Sequence, residues 1–187
     1  RCSYCTFTSH SVEKAAKLIP QYVTLLCSEL EDIAVLIEEL GLHLETVYMG
    51  GGTPTVLTAQ QLDDVLSTVN RCFDMSGVRE ITVEAGRPDT ITAEKLSVLK
   101  KNGVERISIN PQTMDDEVLA EIGRRHTAKD VKDAFALART FNFNSINMDL
   151  ISGLPGDNAE KFRRTIDEVL AMSPDNITLH TLTVKHG

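Results

Sequence analysis

No stretch of the chain approaches the roughly 18 uninterrupted apolar residues of a membrane-spanning helix. The densest segment, Tyr22 to Leu40, carries Glu29, Glu31, Asp32, Glu38 and Glu39. Positive charge is also short: 19 Lys and Arg stand against 27 Asp and Glu, a net charge of −8, with an isoelectric point near 5.1. That balance argues against a generic binder of nucleic acid or of anionic membranes, so neither partner, nor membrane insertion, is expected. Only 4 cysteines occur in 187 residues, which does not resemble a secreted disulfide framework and makes a cytoplasmic setting the expectation. Neither an initiating Met nor a basic, apolar signal segment opens the chain, and further sequence ahead of Arg1 is expected. What remains is ordinary: 42% hydrophobic and 25% charged residues predict one soluble domain over residues 1–187, with room for a real core.

Gly and Pro punctuation divides the chain into alternating short strands and amphipathic helices. Pro20 opens a helix and Gly41 closes it, each where its backbone is suited to a helix end. Thr58-Ala59-Gln60-Gln61 reads as a capping box ahead of Leu62, Val65, Leu66, Val69 and Phe73 at helical spacing. Further helices are predicted from Thr92 to Gly103, from Asp115 to Ile122, from Thr127 and from Asn158, the last with Phe162, Ile166, Val169 and Leu170 facing inward. Strands are predicted at Thr46–Met49, Ile81–Glu84, Arg106–Asn110, Ile146–Ile151 and Ile177–Val184. Strict alternation of strand and helix predicts an α/β domain with a parallel sheet.

Strands covered on both faces read as continuous apolar runs. These alternate instead. Ile107, Ile109 and Pro111 fall on one face of their strand, and Ser108, Asn110 and Gln112 on the other. Asn147 and Asp149 alternate with Ile146, Met148 and Leu150; Thr82 and Glu84 with Ile81 and Val83; Thr178 and His180 with Ile177 and Leu179. A side-chain period of two gathers the polar members on one face, and buried carboxylates need partners. The expected architecture is a barrel or part-barrel with a polar lumen, and with Glu84, Gln112 and Asp149 towards the carboxyl ends of their strands. A doubly wound sheet whose edge strands tolerate polar groups is the alternative.

Gly50-Gly51-Gly52-Thr53-Pro54 directly after a strand leaves backbone N–H groups open to a ligand. It lacks the Lys-Ser/Thr of a phosphate loop and the continuation of a dinucleotide fingerprint, and a plain turn would need fewer glycines. Cys2-x-x-Cys5 is short of a structural zinc site and has no preceding strand for a redox pair, leaving an incomplete metal motif as a third option. Cys27 and Cys72 lie on helical patterns and read as packed thiols. Gly123-Arg124-Arg125-His126-Thr127 reads as a solvated turn, or as the cationic partner that a lumen carboxylate such as Glu84 requires. Gly153-Leu154-Pro155-Gly156 after Asp149 reads as a tight turn.

Together these segments resemble the radical S-adenosylmethionine (SAM) enzymes and, more narrowly, the oxygen-independent coproporphyrinogen III oxidase family in its HemZ-type branch. The resemblance rests on Arg1–Cys5, on Val47–Thr55 with its three glycines, on Thr82–Thr90 and on Arg106–Thr113. Gly123–Thr127 and Asn147–Pro155 complete it. It implies a partial TIM-type (β/α)6 barrel whose first strand lies outside this chain. It also implies a 4Fe-4S cluster held by Cys-x-x-x-Cys-x-x-Cys, with Cys2 and Cys5 as second and third ligands and the first expected three residues ahead of Arg1. Three ligands leave one iron open to SAM. By the same resemblance Gly51, Gly52 and Thr53 bind the methionyl amine, Glu84 and Arg124 hold the methionine end beside Gln112, Asp149 takes the ribose hydroxyls and Thr183 touches adenine.

The implied reaction is oxidative decarboxylation of coproporphyrinogen III propionates to vinyl groups in anaerobic haem biosynthesis. Its implied partners are a tetrapyrrole substrate and a low-potential electron donor such as flavodoxin or ferredoxin. Two departures from the family pattern are Phe7, where best-supported oxidases carry a fourth cysteine, and Ala85-Gly86-Arg87-Pro88 after Glu84. The first is shared by haem-chaperone relatives and the second by the HemZ-type branch. A haem chaperone that keeps the SAM fold is thus the second expectation, with His10, His43, His126, His180 and His186 as conceivable but unpatterned ligands. A radical methyltransferase or haem-degrading relative is the third.

Overall fold

The computed structural model describes residues 2–5 and 15–183. Its first long helix, α1 (Ile19–Glu39), has Pro20 in its first turn and ends in a Schellman motif. There the Gly41 N–H donates to the Glu38 carbonyl and the Leu42 N–H to the Ile37 carbonyl, both at 3.0 Å, with Gly41 at φ +63°. Then follow β1 (Thr46–Met49), α2 (Ala59–Cys72), β2 (Glu80–Gly86), α3 (Ala93–Lys101) and β3 (Arg106–Gln112). Two helices, α4 (Asp116–Glu121) and α5 (Ala128–Arg139), precede β4 (Ser145–Ser152), α6 (Ala159–Met172) and β5 (Asn176–Thr181). The capping box at Thr58 and Gln61 forms with both of its bonds, and Thr127 and Asp130 form a second one. Thr92, Asp115 and Asn158 cap α3, α4 and α6 through their side chains. The helix starts are therefore written in local sequence.

The five strands form one parallel sheet in the order β1-β2-β3-β4-β5. A doubly wound sheet reverses direction at a switch point. This one never reverses, so the structure takes the part-barrel course, open between β1 and β5. The apolar strand face (Val83, Ile107, Ile109, Ile146, Met148) packs on Leu62, Leu66, Leu96, Leu99, Val131 and Phe135 of the helices. A second cluster, Val118, Leu119, Ile122, Ile151 and Leu154, gathers α4 against the end of β4 and takes in Tyr4 and Leu182.

Three expectations need correction. Leu170 is 56% exposed, and the buried positions of α6 are Thr165 and Val169, because β5 is an edge strand and leaves that side of α6 uncovered. The last strand ends at Thr181, so Thr183 lies beyond it and is exposed, while Val184 lies outside the described residues. Gln112 is out of phase with Ser108 and Asn110. The register runs Ile109↔Met148 and then Gln112↔Leu150, so β3 carries one extra residue, and Gln112 sits at φ +71°. A similar shift separates Glu84 and Gly86 on β2. Both bulges fall near the carboxyl ends of neighbouring strands, where such irregularities re-aim side chains.

Leu96 and Leu99 are 0% exposed on α3. Leu99→Ala is expected to lower stability by about 2–5 kcal/mol, whereas Leu170→Ala should cost less than about 1 kcal/mol. Urea denaturation of the two variants checks the contrast.

Candidate functional site

The polar strand faces meet as predicted. Registered partners Glu84↔Ser108, Ser108↔Asn147 and Asp149↔Thr178 share one side of the sheet. Thr82, Ser108 and Asn147 are 3–5% exposed and make a buried lower layer, and Glu84 and Asp149 lie partly exposed above it. Asn147 joins the two layers. Its Nδ2 donates to Ser108 Oγ at 3.0 Å and to Asp149 Oδ1 at 2.6 Å, and its Oδ1 accepts from Thr178 Oγ1 at 3.0 Å. A buried amide satisfied in this way fixes the carboxylate above it.

The glycine loop is anchored from below. Thr55 Oγ1 donates to the Ala85 carbonyl at 2.9 Å, and Lys95 Nζ donates to the carbonyls of Thr55 and Thr90 at 2.5 and 3.1 Å. Burial pushes the Lys95 ammonium below its usual range. Thr53 lies over Gly86, where an added Cβ would come 3.4 Å from Thr53 Cγ2. Above these anchors the loop is open: a Cβ on Gly51 or Gly52 would meet nothing within 4 Å. Gly50 differs. A Cβ there would come 2.5 Å from Tyr48 Cε1 and 3.1 Å from Glu84 Oε1.

Arg124 and Glu84 do not pair among the described residues, contrary to the sequence expectation. Arg124 Nη1 donates to the Asn110 carbonyl at 2.7 Å, and Nη2 reaches Tyr4 Oη at 3.4 Å. Glu84 Oε1 instead accepts from the Tyr48 hydroxyl at 2.5 Å. Arg124 Nε and Gln112 Oε1 are buried with no partner among the described residues.

The cysteine turn is held in place. Ser3 N–H donates to the Ile122 carbonyl at 3.0 Å, Cys5 N–H to the Cys2 carbonyl at 3.2 Å, and Tyr4 packs on the α4 cluster. Burial raises the pKa of the Tyr4 hydroxyl while Arg124 opposes the shift. Tyr4, Tyr48 and Lys95 are the functional-site neighbours that sequence reasoning did not single out. Period two alone could have placed Tyr48 on the polar face, as it did Asn147; Tyr4 and Lys95 carry no local signal.

The Radical SAM superfamily profile matches residues 1–169. This chain belongs to the radical SAM superfamily. It is similar to the oxygen-independent coproporphyrinogen-III oxidase-like protein HemZ of Bacillus subtilis, at 43% identity over 188 residues, covering 100% of this chain and 38% of that protein. The haem chaperone HemW of the same organism is 35% identical over 185 residues, covering 98% of the chain and 48% of HemW. The solved coproporphyrinogen III oxidase HemN of Escherichia coli, a radical SAM enzyme, superposes with a TM-score of 0.84 at 27% identity, covering 97% of this chain and 41% of that one. The radical SAM chain thus spans between about two fifths and one half of these relatives' lengths.

The superfamily's cofactors are a 4Fe-4S cluster and SAM, and the residues present suit SAM. Its ammonium calls for a carboxylate, its carboxylate for a cation, and its hydroxyls for acceptors. Glu84, Arg124 and Asp149 are groups of those kinds, and Glu84 lies against the first glycine of the open loop. For the cluster, the described residues offer the two thiols of Cys2 and Cys5, and among them no group of three or more His, Cys, Asp or Glu could hold a metal ion.

His126 closes the motif after Arg124. It is 4% exposed, and the backbone of Pro111 offers its ring only a weak hydrogen bond. Burial first, then Arg124 and Arg87 against Asp89, lowers its pKa from 6.5 to about 4. The imidazole is neutral in the folded state, and the unfolded chain binds the proton more readily. Its contribution to stability is therefore complete above pH 6.5 and is lost as pH falls towards 4, by about 2–3 kcal/mol. Urea midpoints at pH 7 and 4.5 should lie closer together in His126→Phe than in the parent; equal separations would assign the acid sensitivity elsewhere.

Proposed function

We propose that this chain is the cofactor-binding core of a cytoplasmic enzyme that converts propionate side chains of coproporphyrinogen III to vinyl groups in anaerobic haem biosynthesis. The observation that carries the reading is the paired lumen carboxylates, Glu84 braced by Tyr48 and Asp149 braced by Asn147, in a chain 43% identical along its whole length to HemZ. Glu84 and the loop at Gly51, Gly52 and Thr53 take the methionyl ammonium, and Arg124 takes the methionyl carboxylate. Gln112 lies beside the methionine end, Asp149 accepts from the ribose hydroxyls, and Thr183 borders the adenine. Cys2 and Cys5 are two of three cluster ligands. Each propionate gives up one hydrogen atom, one electron and carbon dioxide, the electron passing to a one-electron acceptor outside this chain. When bound and reduced, by a donor such as flavodoxin or ferredoxin, the cofactor pair supplies the hydrogen-atom acceptor.

The protein's own part is to order the cofactor's polar ends on fixed groups and to keep water from the reacting carbon. A haem chaperone is the second reading, favoured by the 35% identity to HemW and by Phe7 in place of a fourth cysteine; Phe7 lies outside the described residues. Anaerobic reconstitution of the full-length protein with coproporphyrinogen III separates the two. Vinyl product with carbon dioxide release supports the oxidase, whereas tight haem uptake without vinyl product supports the chaperone.

Glu84→Ala and Asp149→Ala are each expected to weaken SAM binding by tenfold or more, roughly 1.5–3 kcal/mol per lost charged hydrogen bond, while shifting thermal stability little. Calorimetric titration of SAM into both variants reads this out, and unchanged affinity in the two together would exclude the lumen assignment.

A further inference from the structure

Tyr48 is the edge-strand residue nearest the glycine loop on the lumen side, registered with Thr82. The residue as a whole is 63% exposed, which for a tyrosine on a bare edge would leave the hydroxyl to water. Instead the hydroxyl donates to Glu84 Oε1 at 2.5 Å, reaching across to the neighbouring strand. Three further observations converge on the same bond. Gly50 keeps the space between the two side chains clear, since a Cβ there would press on both the Tyr48 ring and the Glu84 carboxylate. No other group among the described residues engages Glu84, so this one bond sets the orientation of its carboxylate. The hydroxyl is also held protonated, its pKa pushed up to about 12 by partial desolvation and then by the Glu84 bond and charge. Asp149 adds to that shift and Arg106 opposes it, so the hydroxyl lies within the field of both lumen carboxylates and remains a donor at any physiological pH.

We propose that Tyr48 is a positioning residue of the SAM site, its hydroxyl occupying Glu84 Oε1 so that Oε2 is the oxygen left to receive the methionyl ammonium. A carboxylate on a two-carbon stem otherwise samples several rotamers and presents either oxygen, and fixing it beforehand removes that ordering cost from ligand binding. Gly50 has its own role in this arrangement. The first glycine of the three keeps the Tyr48–Glu84 bridge closed, whereas Gly51 and Gly52 leave the loop open to ligand.

This inference rests on the assignment of Glu84 to the methionyl end, and its test separates the two. In the cluster-loaded full-length protein, Tyr48→Phe removes only the hydroxyl. SAM affinity by calorimetry should fall about tenfold, as for a hydrogen bond to a charged group. The KM for SAM in dithionite-driven release of 5′-deoxyadenosine should rise to match, with kcat changed less than about twofold. Gly50→Ala should reproduce the affinity loss with the hydroxyl still present. In a Glu84→Gln background, Tyr48→Phe should add less than a twofold further loss. If Glu84→Gln weakens SAM binding while Tyr48→Phe does not, the positioning role is wrong and the site stands. An equal loss from Tyr48→Phe in both backgrounds would also overturn it, because the hydroxyl would then act without Glu84. If Glu84→Gln leaves SAM affinity unchanged, the site assignment and the inference fall together.

Discussion

A parallel sheet with one polar face can exist only if that face is satisfied where water is excluded, and here the satisfaction runs through Asn147. Left without partners, the buried groups of Ser108 and Asn147 would each cost on the order of 1–3 kcal/mol. Their bonds to one another, to Thr178 and to Asp149 remove that cost and at the same time fix a carboxylate at the rim of the lumen. Stability and site geometry are therefore the same set of hydrogen bonds. The apolar opposite face, from Val83 to Met148, supplies the driving force, but it does not decide where Asp149 stands.

Above that layer the chain departs from regular geometry. The bulge at Ala85 follows Glu84 directly and turns its carbonyl to Thr55, which ties the glycine loop to β2. The bulge before Gln112 puts a non-glycine residue into the left-handed region, a conformation that costs roughly 1–2 kcal/mol and persists because buried neighbours on both sides hold it. Beside it Arg124 binds the Asn110 carbonyl and reaches Tyr4. The cysteine turn and the arginine loop are thus packed as one unit on α4.

Much of this was readable from the residues because it is local. Capping at Thr58, Thr92, Asp115, Thr127 and Asn158 depends on side chains within a few positions, and the polar face follows from a period of two. Gly41 marked its helix end for the same reason. What the sequence hid depends on strand register or on contacts across tens of residues. The phase of Gln112 is reset by a bulge that no periodicity reveals. Leu170 fits the apolar stripe of α6, yet faces outward because β5 has no neighbour to cover it. The Tyr4 clamp joins positions 4 and 124. The absent Glu84–Arg124 pair follows from the Asn110 carbonyl, a backbone acceptor that no side-chain pattern announces.

The unreversed strand order also bears on how the chain reaches this state. Each pairing joins neighbouring strands of the sequence: Gly86 meets Ile109 across 23 positions and Arg106 meets Ser145 across 39, the shortest and longest steps between consecutive strands. Loop-closure entropy grows only logarithmically with length, so the successive closures cost nearly the same, and none must wait for a distant segment. Assembly can proceed by adding one strand–helix–strand unit to the last, from any starting unit. Parallel pairing is a slow kind of contact to form, and here each pairing reaches no further than the next strand–helix–strand unit.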